Sequence, residues 1–537
     1  MFIARYATKE RSIMATTPST VQEKPTFLQT MTTFTRPFWF ANFIELMERW
    51  AYYGLRGGFL SVYMVTAVGL GGLGFNHLEK GDIYMWWALI QSLLPMFTGG
   101  YADRYGYKKT VGIAVSISCL GYLVMGTQSS FWGFFCGAML VATGTAIFKP
   151  GIQAVLAHST NDKNAPLGWS VFYMVVNIGG TIGPLIQGFM GALPWSYVFF
   201  LSAAVHALNF LFLFCFTEPK GDNVRESKQS VSFVATAKDM AAEFAHIFLT
   251  SIKNLFEPRL ITFLVVFSGF WLMFMQLFDL LPNFITDWVD SSDNYLLLGK
   301  IFNNAHLLEL GRTGVQMPPS WLILVDSFSI MALMLVVGWT FGKMKPVPAM
   351  IIGMLIASVG IVVAGNSMSG LLCIGGIFIF AIGEMIASPR KSEYLSLIAP
   401  PGKKGLYMGY VSFPQAIGWV IGSKIGGIIY QGHGDKMTLA KQYLTEQLHV
   451  GKDVVNAIPP EKLMDRLTEL AHLASTKEAT QLLFNTYHPE RIWYIFAAIG
   501  AASTIGMVIY YLVVERHRIG TLSSMEKPME AVMGGKK

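Results

Sequence analysis

The sequence predicts an all-α polytopic membrane protein, with twelve transmembrane helices in two six-helix bundles. Three observations carry this. The chain is 53% hydrophobic and only 14% charged, with a mean hydropathy of +0.46, whereas a soluble chain carries about a quarter charged residues. Twelve apolar runs are long enough to cross a bilayer. Lys and Arg are also sorted to one side. Arg104, Lys108, Lys109, Lys220, Arg225, Lys228, Lys343, Lys345, Arg390, Lys391, Lys403, Lys404, Arg516 and Arg518 fall in the loops and the tail of one face. The opposite loops are nearly bare, apart from one long insert that translocates regardless of charge. The positive-inside rule puts both termini in the cytoplasm. The net charge of +7 is then a product of topology, and no nucleic-acid partner is needed.

In chain order, residues 1–37 form a polar cytoplasmic segment without a signal-peptide apolar core. The N-terminal bundle, 38–217, holds runs at 38–65, 82–102, 110–128, 131–156, 168–192 and 196–217. A cytoplasmic linker, 218–258, places Phe233, Met240, Phe244, Phe248 and Leu255 at helical spacing. It is either an amphipathic helix on the membrane surface or a tether. The C-terminal bundle, 259–515, holds runs at 260–285, 320–341, 347–365, 371–388, 406–430 and 490–514, and a cytoplasmic tail, 516–537, follows. Two inserts, 286–319 and 431–489, lie on the extracytoplasmic side. The second contains three short amphipathic helices, with Pro460 in a first turn and Ser475 with Glu478 as a capping box. It is either a cap on the outer mouth or a packing addition. Cys119, Cys136, Cys215 and Cys373 sit in apolar runs without metal or redox spacing.

Charges inside the spans mark function. "IELMERWAYYG", 44–54, puts Glu45, Glu48 and Arg49 on one face of the first span. An ionised side chain at the bilayer centre costs at least about 3 kcal/mol, so such residues face a cavity or one another. Lys149 and Pro150 in "IFKPGIQ" and Asn177 in "SVFYMVVNIGG" add polar positions in the fourth and fifth spans. His206 in the sixth reads as packing. No nucleophile–base–acid set, metal-ligand spacing or phosphate loop appears, so an enzyme is not expected.

"GGYADRYGYKKT", 99–110, fits the Gly-x-x-x-Asp-Arg-x-Gly-x-Lys loop of the major facilitator superfamily, with Asp103 and Arg104 as a cytoplasmic gate network. "ELMERWAYYG", "FKPGIQAVL", "FYMVVNIGG" and "GEMIASP" resemble, in order and span, four elements of the proton-dependent oligopeptide transporter family within it. The resemblance implies proton-coupled import of di- and tripeptides by alternating access. It implies Glu45, Glu48, Arg49 and Lys149 as the proton-coupling cluster. Arg49 and Lys149 would face the peptide carboxylate and Glu384 its amino end. Tyr53 and Asn177 would bind the peptide backbone, and Gln276, Asp326 and Ser388 complete the substrate-contacting set.

The departures lie mostly in the C-terminal bundle. In "FWLMFMQLFDLL" Met275 stands where the family has Glu, with Asp279 one turn on. Asp326 in "LVDSFS" stands near the family's Asn-Pro, "RKSEY" follows Ser388-Pro389, and Val411 stands where an eleventh-span Trp is expected. In the N-terminal bundle, Gly151 replaces an Asn, and Ser92 stands where a second-span Tyr is expected. Two expectations follow. Glu45 bridges Lys149 until protonated, and Asp279 pairs with Arg56 or Lys424 as an outer gate. No cofactor is expected beyond the coupling proton. The expected setting is the lipid bilayer of the plasma membrane, as in a bacterial inner membrane, with a functional monomer and small peptides as substrate. The alternatives are transport of another zwitterionic or anionic solute, or a non-transporting sensor or scaffold.

Overall fold

A computed structural model describes residues 27–95, 106–161, 164–215, 255–341, 344–400, 407–408 and 410–515. Asp103, Arg104 and the linker positions Phe233, Met240, Phe244 and Phe248 lie outside these residues, as does the C-terminal tail.

Twelve spans are present among the described residues. Those of the N-terminal bundle are Arg36–Arg56 with its extension Phe59–Val65, His77–Leu93, Tyr107–Thr127, Phe131–His158, Ala165–Phe189 and Ser196–Cys215. Those of the C-terminal bundle are Pro258–Asp279 with its extension Leu281–Trp288, Pro319–Phe341, Pro346–Gly365, Gly370–Ile398, Phe413–His433 and Arg491–Tyr510. Among the described residues, nine helices are long and apolar enough to cross a membrane. The first, second and eleventh spans are not among the nine: the first carries Glu45, Glu48 and Arg49, the second is 17 residues long, and the eleventh is diluted by glycines, glutamines and Lys424.

Two spans break where they reach the insert-bearing end of the molecule. The first stops at Gly57 and resumes after Gly58, whose φ of +116 suits a residue without a side chain. A Cβ at Gly57 would lie 2.5 Å from the Pro184 ring of the fifth span. The seventh breaks at Leu280, just after Asp279, with Pro282 in the following turn. The tenth span runs ten residues beyond its expected end at 388. It continues through Pro389 because its charges find partners: Arg390 pairs with Glu393 and donates to the Phe341 carbonyl (2.7 Å). The Tyr394 hydroxyl donates to Glu515 (2.7 Å), which pairs with Arg259.

Both inserts are helical. The first holds Ser292–Ile301 and Ala305–Arg312, and the second holds Lys436–Glu446, Lys452–Ala457, Leu463–Leu470 and Thr476–Tyr487. Pro460 opens a short 3-10 turn, and Ser475 caps its helix by accepting from the Glu478 N–H. Glu478 takes the Ala474 N–H instead of closing a reciprocal box. Leu439, Leu444, Leu463, Leu467 and Leu483 are buried in a core continuous with that of the spans. Trp288 donates to the Gly434 carbonyl (2.7 Å), and Lys477 pairs with Asp290 (2.6 Å). Burial opposes charge on Asp290, yet hydrogen bonds from Lys477, Ser292 and Gln316 hold it well below the usual carboxylate range. The second insert also meets the N-terminal bundle. His77 of the second span lies 3.5 Å from Asp435, and its N–H donates to Gln431 (2.8 Å).

The ninth and tenth spans touch backbone to backbone. A Cβ at Gly376 would lie 2.1 Å from the Ala364 nitrogen, and one at Gly360 would lie 2.4 Å from that of Phe380. Neighbouring Gly375 faces open space. Small residues at such crossings allow close van der Waals packing. Gly376→Val is therefore expected to cost about 1–3 kcal/mol or more and to lower the thermal transition measured by size-exclusion chromatography. Gly375→Ala should leave it unchanged.

Candidate functional site

A cavity of about 270 Å³ lies between the bundles. Ligand pockets run from about 300 Å³ upward, so this one suits a small solute. The N-terminal bundle contributes Arg49, Tyr52, Tyr53, Arg56, Gln91, Lys149, Tyr173 and Asn177. The C-terminal bundle contributes Trp271, Phe274, Met275, Phe278, Asp326, Ser327, Glu384, Gln415 and Trp419.

Arg49 is 1% exposed and organises one wall. Its guanidinium pairs with Glu48 and with Glu45 (3.2 Å), and lies over the rings of Tyr52 and Tyr53. Thr145 of the fourth span donates to the other Glu48 oxygen (3.4 Å). The expected Glu45–Lys149 bridge is not formed. Glu45 turns to Arg49, one helical turn away on its own helix, which it reaches without crossing to the fourth span. The guanidinium fork serves both carboxylates. Lys149 faces the cavity with no ion pair within 4.0 Å among the described residues. Its field acts on Glu48 without contact.

Arg56 forms a second centre. Its Nη2 lies 2.7 Å from Asp279 Oδ1, and both are buried. The other Asp279 oxygen accepts from Trp419 Nε1 (3.0 Å) and Ser423 Oγ (2.9 Å) of the eleventh span. Arg56 lies over the rings of Tyr84 (4.0 Å) and Trp419 (5.1 Å). Lys80 of the second span donates to the Asp279 carbonyl (2.9 Å) and to Asn283 (2.6 Å), and Asn283 donates to the Ser61 carbonyl (2.9 Å). The break after Asp279 bares that carbonyl. These contacts latch the bundles together at the insert-bearing end. Of the two partners expected for Asp279, Arg56 is the one used. Lys424 pairs with Asp82, half exposed, where an ion pair is worth little.

Tyr53, Lys149, Asn177, Asp326 and Glu384 meet at the cavity as expected, and Asn177 donates to the Tyr173 carbonyl (2.9 Å). Gln276 does not line it. Its amide donates to the Leu272 carbonyl (2.7 Å) and packs on Gly422 and Gly426. Adjacent helical residues point about 100° apart, so Met275 takes the cavity face instead. Ser388 also lies outside the lining, one turn along the tenth span from Glu384. Val411 precedes the eleventh span, which begins at Phe413, and the cavity tryptophan of that span is Trp419. The polar second-span position is Gln91 rather than Ser92, and Gln91 accepts from Tyr52 (3.0 Å) and Trp87 (2.6 Å). Trp271, Tyr173 and Gln415 were missed, because nothing in an apolar helix marks which aromatic or amide faces inward. His206 packs between Tyr122 and Phe148.

The chain belongs to the major facilitator superfamily, whose family model matches residues 38–423. It is thus a multi-pass membrane transporter and not an enzyme. Uncharacterized transporter YclF of Bacillus subtilis is 26% identical over 434 residues, which cover 72% of this chain and 86% of that protein. Peptide transporter YePEPT of Yersinia enterocolitica is 24% identical over 441 residues, 71% of this chain and 86% of that one. A crystal structure of peptide transporter POT in complex with sulfate superposes with a TM-score of 0.61 at 19% identity, covering 90% of this chain and 94% of that one.

Removing one partner of a buried ion pair costs about 3–5 kcal/mol, and each 1.4 kcal/mol is tenfold in an equilibrium. Asp279→Asn is therefore expected to shift the closed–open balance of the insert-bearing end toward open by roughly a hundredfold or more. Thiol labelling of a cysteine placed behind the latch should accelerate. An unchanged labelling rate would refute the latch.

Proposed function

We propose that this protein is a proton-coupled symporter that imports di- and tripeptides by alternating access. The observation that carries this is the polarity of the cavity. Lys149, a cation without an ion pair among the described residues, stands beside Arg49 on one wall, and the carboxyls Asp326 and Glu384 stand on the other. A zwitterionic peptide carries the complementary charges at its two ends, with neutral donors and acceptors between. Tyr53 and Asn177 are suited to that middle part, and the aromatic lining tolerates varied side chains. The four motif elements and the similarity to YePEPT, named a peptide transporter, support the same substrate class.

Coupling is assigned to Glu45, Glu48, Arg49 and Lys149. Protonation of Glu45 or Glu48 weakens the hold on Arg49 and turns both cations toward a substrate carboxylate. Proton and substrate then each raise the other's affinity, as linkage requires. The membrane potential adds about 2.3 kcal/mol per charge per 100 mV. The proton is the only coupling species and no cofactor takes part. The protein acts as a monomer in the plasma membrane, with both termini cytoplasmic and the inserts outside.

Counterflow of a labelled dipeptide panel in proteoliposomes tests the substrate class. No counterflow with any di- or tripeptide would refute it. Glu45→Gln and Lys149→Ala are each expected to reduce proton-driven accumulation at least tenfold while reducing exchange less. Well-folded variants that still concentrate peptide would refute the coupling role.

A further inference from the structure

Asp326 of the eighth span and Glu384 of the tenth line the cavity. Their carboxyl groups face one another within hydrogen-bonding reach. Asp326 is 2% exposed, and its Oδ1 and the Glu384 Oε2 have no hydrogen-bond partner among the described residues. Neither carboxyl has an ion pair within 4.0 Å among the described residues. Trp271, on the adjoining wall and 6% exposed, also leaves its indole N–H unpartnered among the described residues. Lys391 is 6% exposed, with its ammonium 4.4 Å from the centre of the Trp271 ring. It lies seven residues beyond Glu384 on the same helix, hence on the same face about 10 Å along.

Among the described residues, the other buried carboxylates around the cavity have cations beside them. In the N-terminal bundle Glu45 and Glu48 stand against Arg49 and Lys149, and at the latch Asp279 stands against Arg56 with the buried Lys80 on its carbonyl. Asp326 and Glu384 have Lys391 alone and are locally one positive charge short. Two carboxyls so close cannot both ionise cheaply, and a hydrogen bond between them needs a proton. The other groups facing the pair do not supply the charge. Arg49 is already matched, and Tyr53, Tyr173 and Asn177 are neutral. Ser327 and Trp271 are neutral too, and the ninth span carries no titratable group.

We propose that Asp326 and Glu384 share and carry a further co-transported proton, a second proton site housed in the C-terminal bundle beside the one at Glu45 and Glu48. This rests on the proton-coupled reading above. Binding forms one O–H bond on the pair and release breaks it, with the proton passing to and from cavity water. With the proton aboard, the pair and Lys391 are balanced and a zwitterion adds no net charge. Without it, the empty carrier returns one negative charge. Lys391 is a positioning residue that limits the pair to one proton.

The test is infrared titration of the purified full-length protein without substrate, together with protons taken up per dipeptide in proteoliposomes. A protonated-carboxyl band that disappears as pH rises is expected, absent in Asp326→Asn and displaced to higher pH in Lys391→Gln. The proton-to-dipeptide ratio in Asp326→Asn should fall by about half, whatever its absolute rate. Glu384→Gln, monodisperse on size exclusion, replaces Asp326→Asn if the latter does not fold. A band unchanged in both carboxyl variants, or an unchanged ratio, overturns the proposal. A band lost in Asp326→Asn, in a protein that moves no dipeptide, would uphold the proton pair and sink the peptide reading.

Discussion

A charge taken into a bundle of apolar helices has to meet an opposite charge or a set of dipoles, because hydrocarbon offers neither. That constraint decides which helices touch. Arg49 holds Glu45 and Glu48 on one face of the first span and, through Thr145, draws in the fourth. Arg56 reaches the seventh span through Asp279, and Asp279 reaches the eleventh through Trp419 and Ser423. Lys80 donates to a carbonyl and an amide of the seventh span. Two bundles of one chain are thus fastened at one end by partners that neither could supply alone.

The backbone yields where these charges meet. Gly57 and Gly58 interrupt the first span directly after Arg56, and Leu280 interrupts the seventh directly after Asp279. Both partners of the latch therefore sit on the last turn of a helix. A carbonyl freed by the second break becomes the acceptor for Lys80. The helix ends that would otherwise be orphaned are used as parts of the site.

Hydropathy made the twelve spans legible, charge inside them marked Arg49 and Lys149, and the family resemblance directed attention to Asp326 and Glu384, all four of which line the cavity. Amphipathic spacing did the same for the helices of the second insert. What periodicity cannot give is a partner. It put Glu45, Glu48 and Arg49 on one face but could not say that Arg49 would outcompete Lys149 for Glu45. Nor does it resolve neighbours: one residue of offset separates Met275, at the cavity, from Gln276, between two helices. Span ends were the weakest reading. Pro389 and the charges after it looked like a terminus, while distant partners such as Phe341 and Glu515 keep the helix going. Placing the eleventh span seven residues early hid Trp419 behind Val411.

The contact between Arg56 and Asp279 puts both charges at one depth in the bilayer. Drawing them apart as the bundles separate moves charge sideways, along the membrane plane, where the transmembrane field does almost no work. The field acts on charge displaced along the normal, at about 2.3 kcal/mol per charge per 100 mV. The latch is therefore electrically silent. Any voltage dependence of the cycle has to come from the net charge the cavity takes from one face to the other, and its size counts that charge.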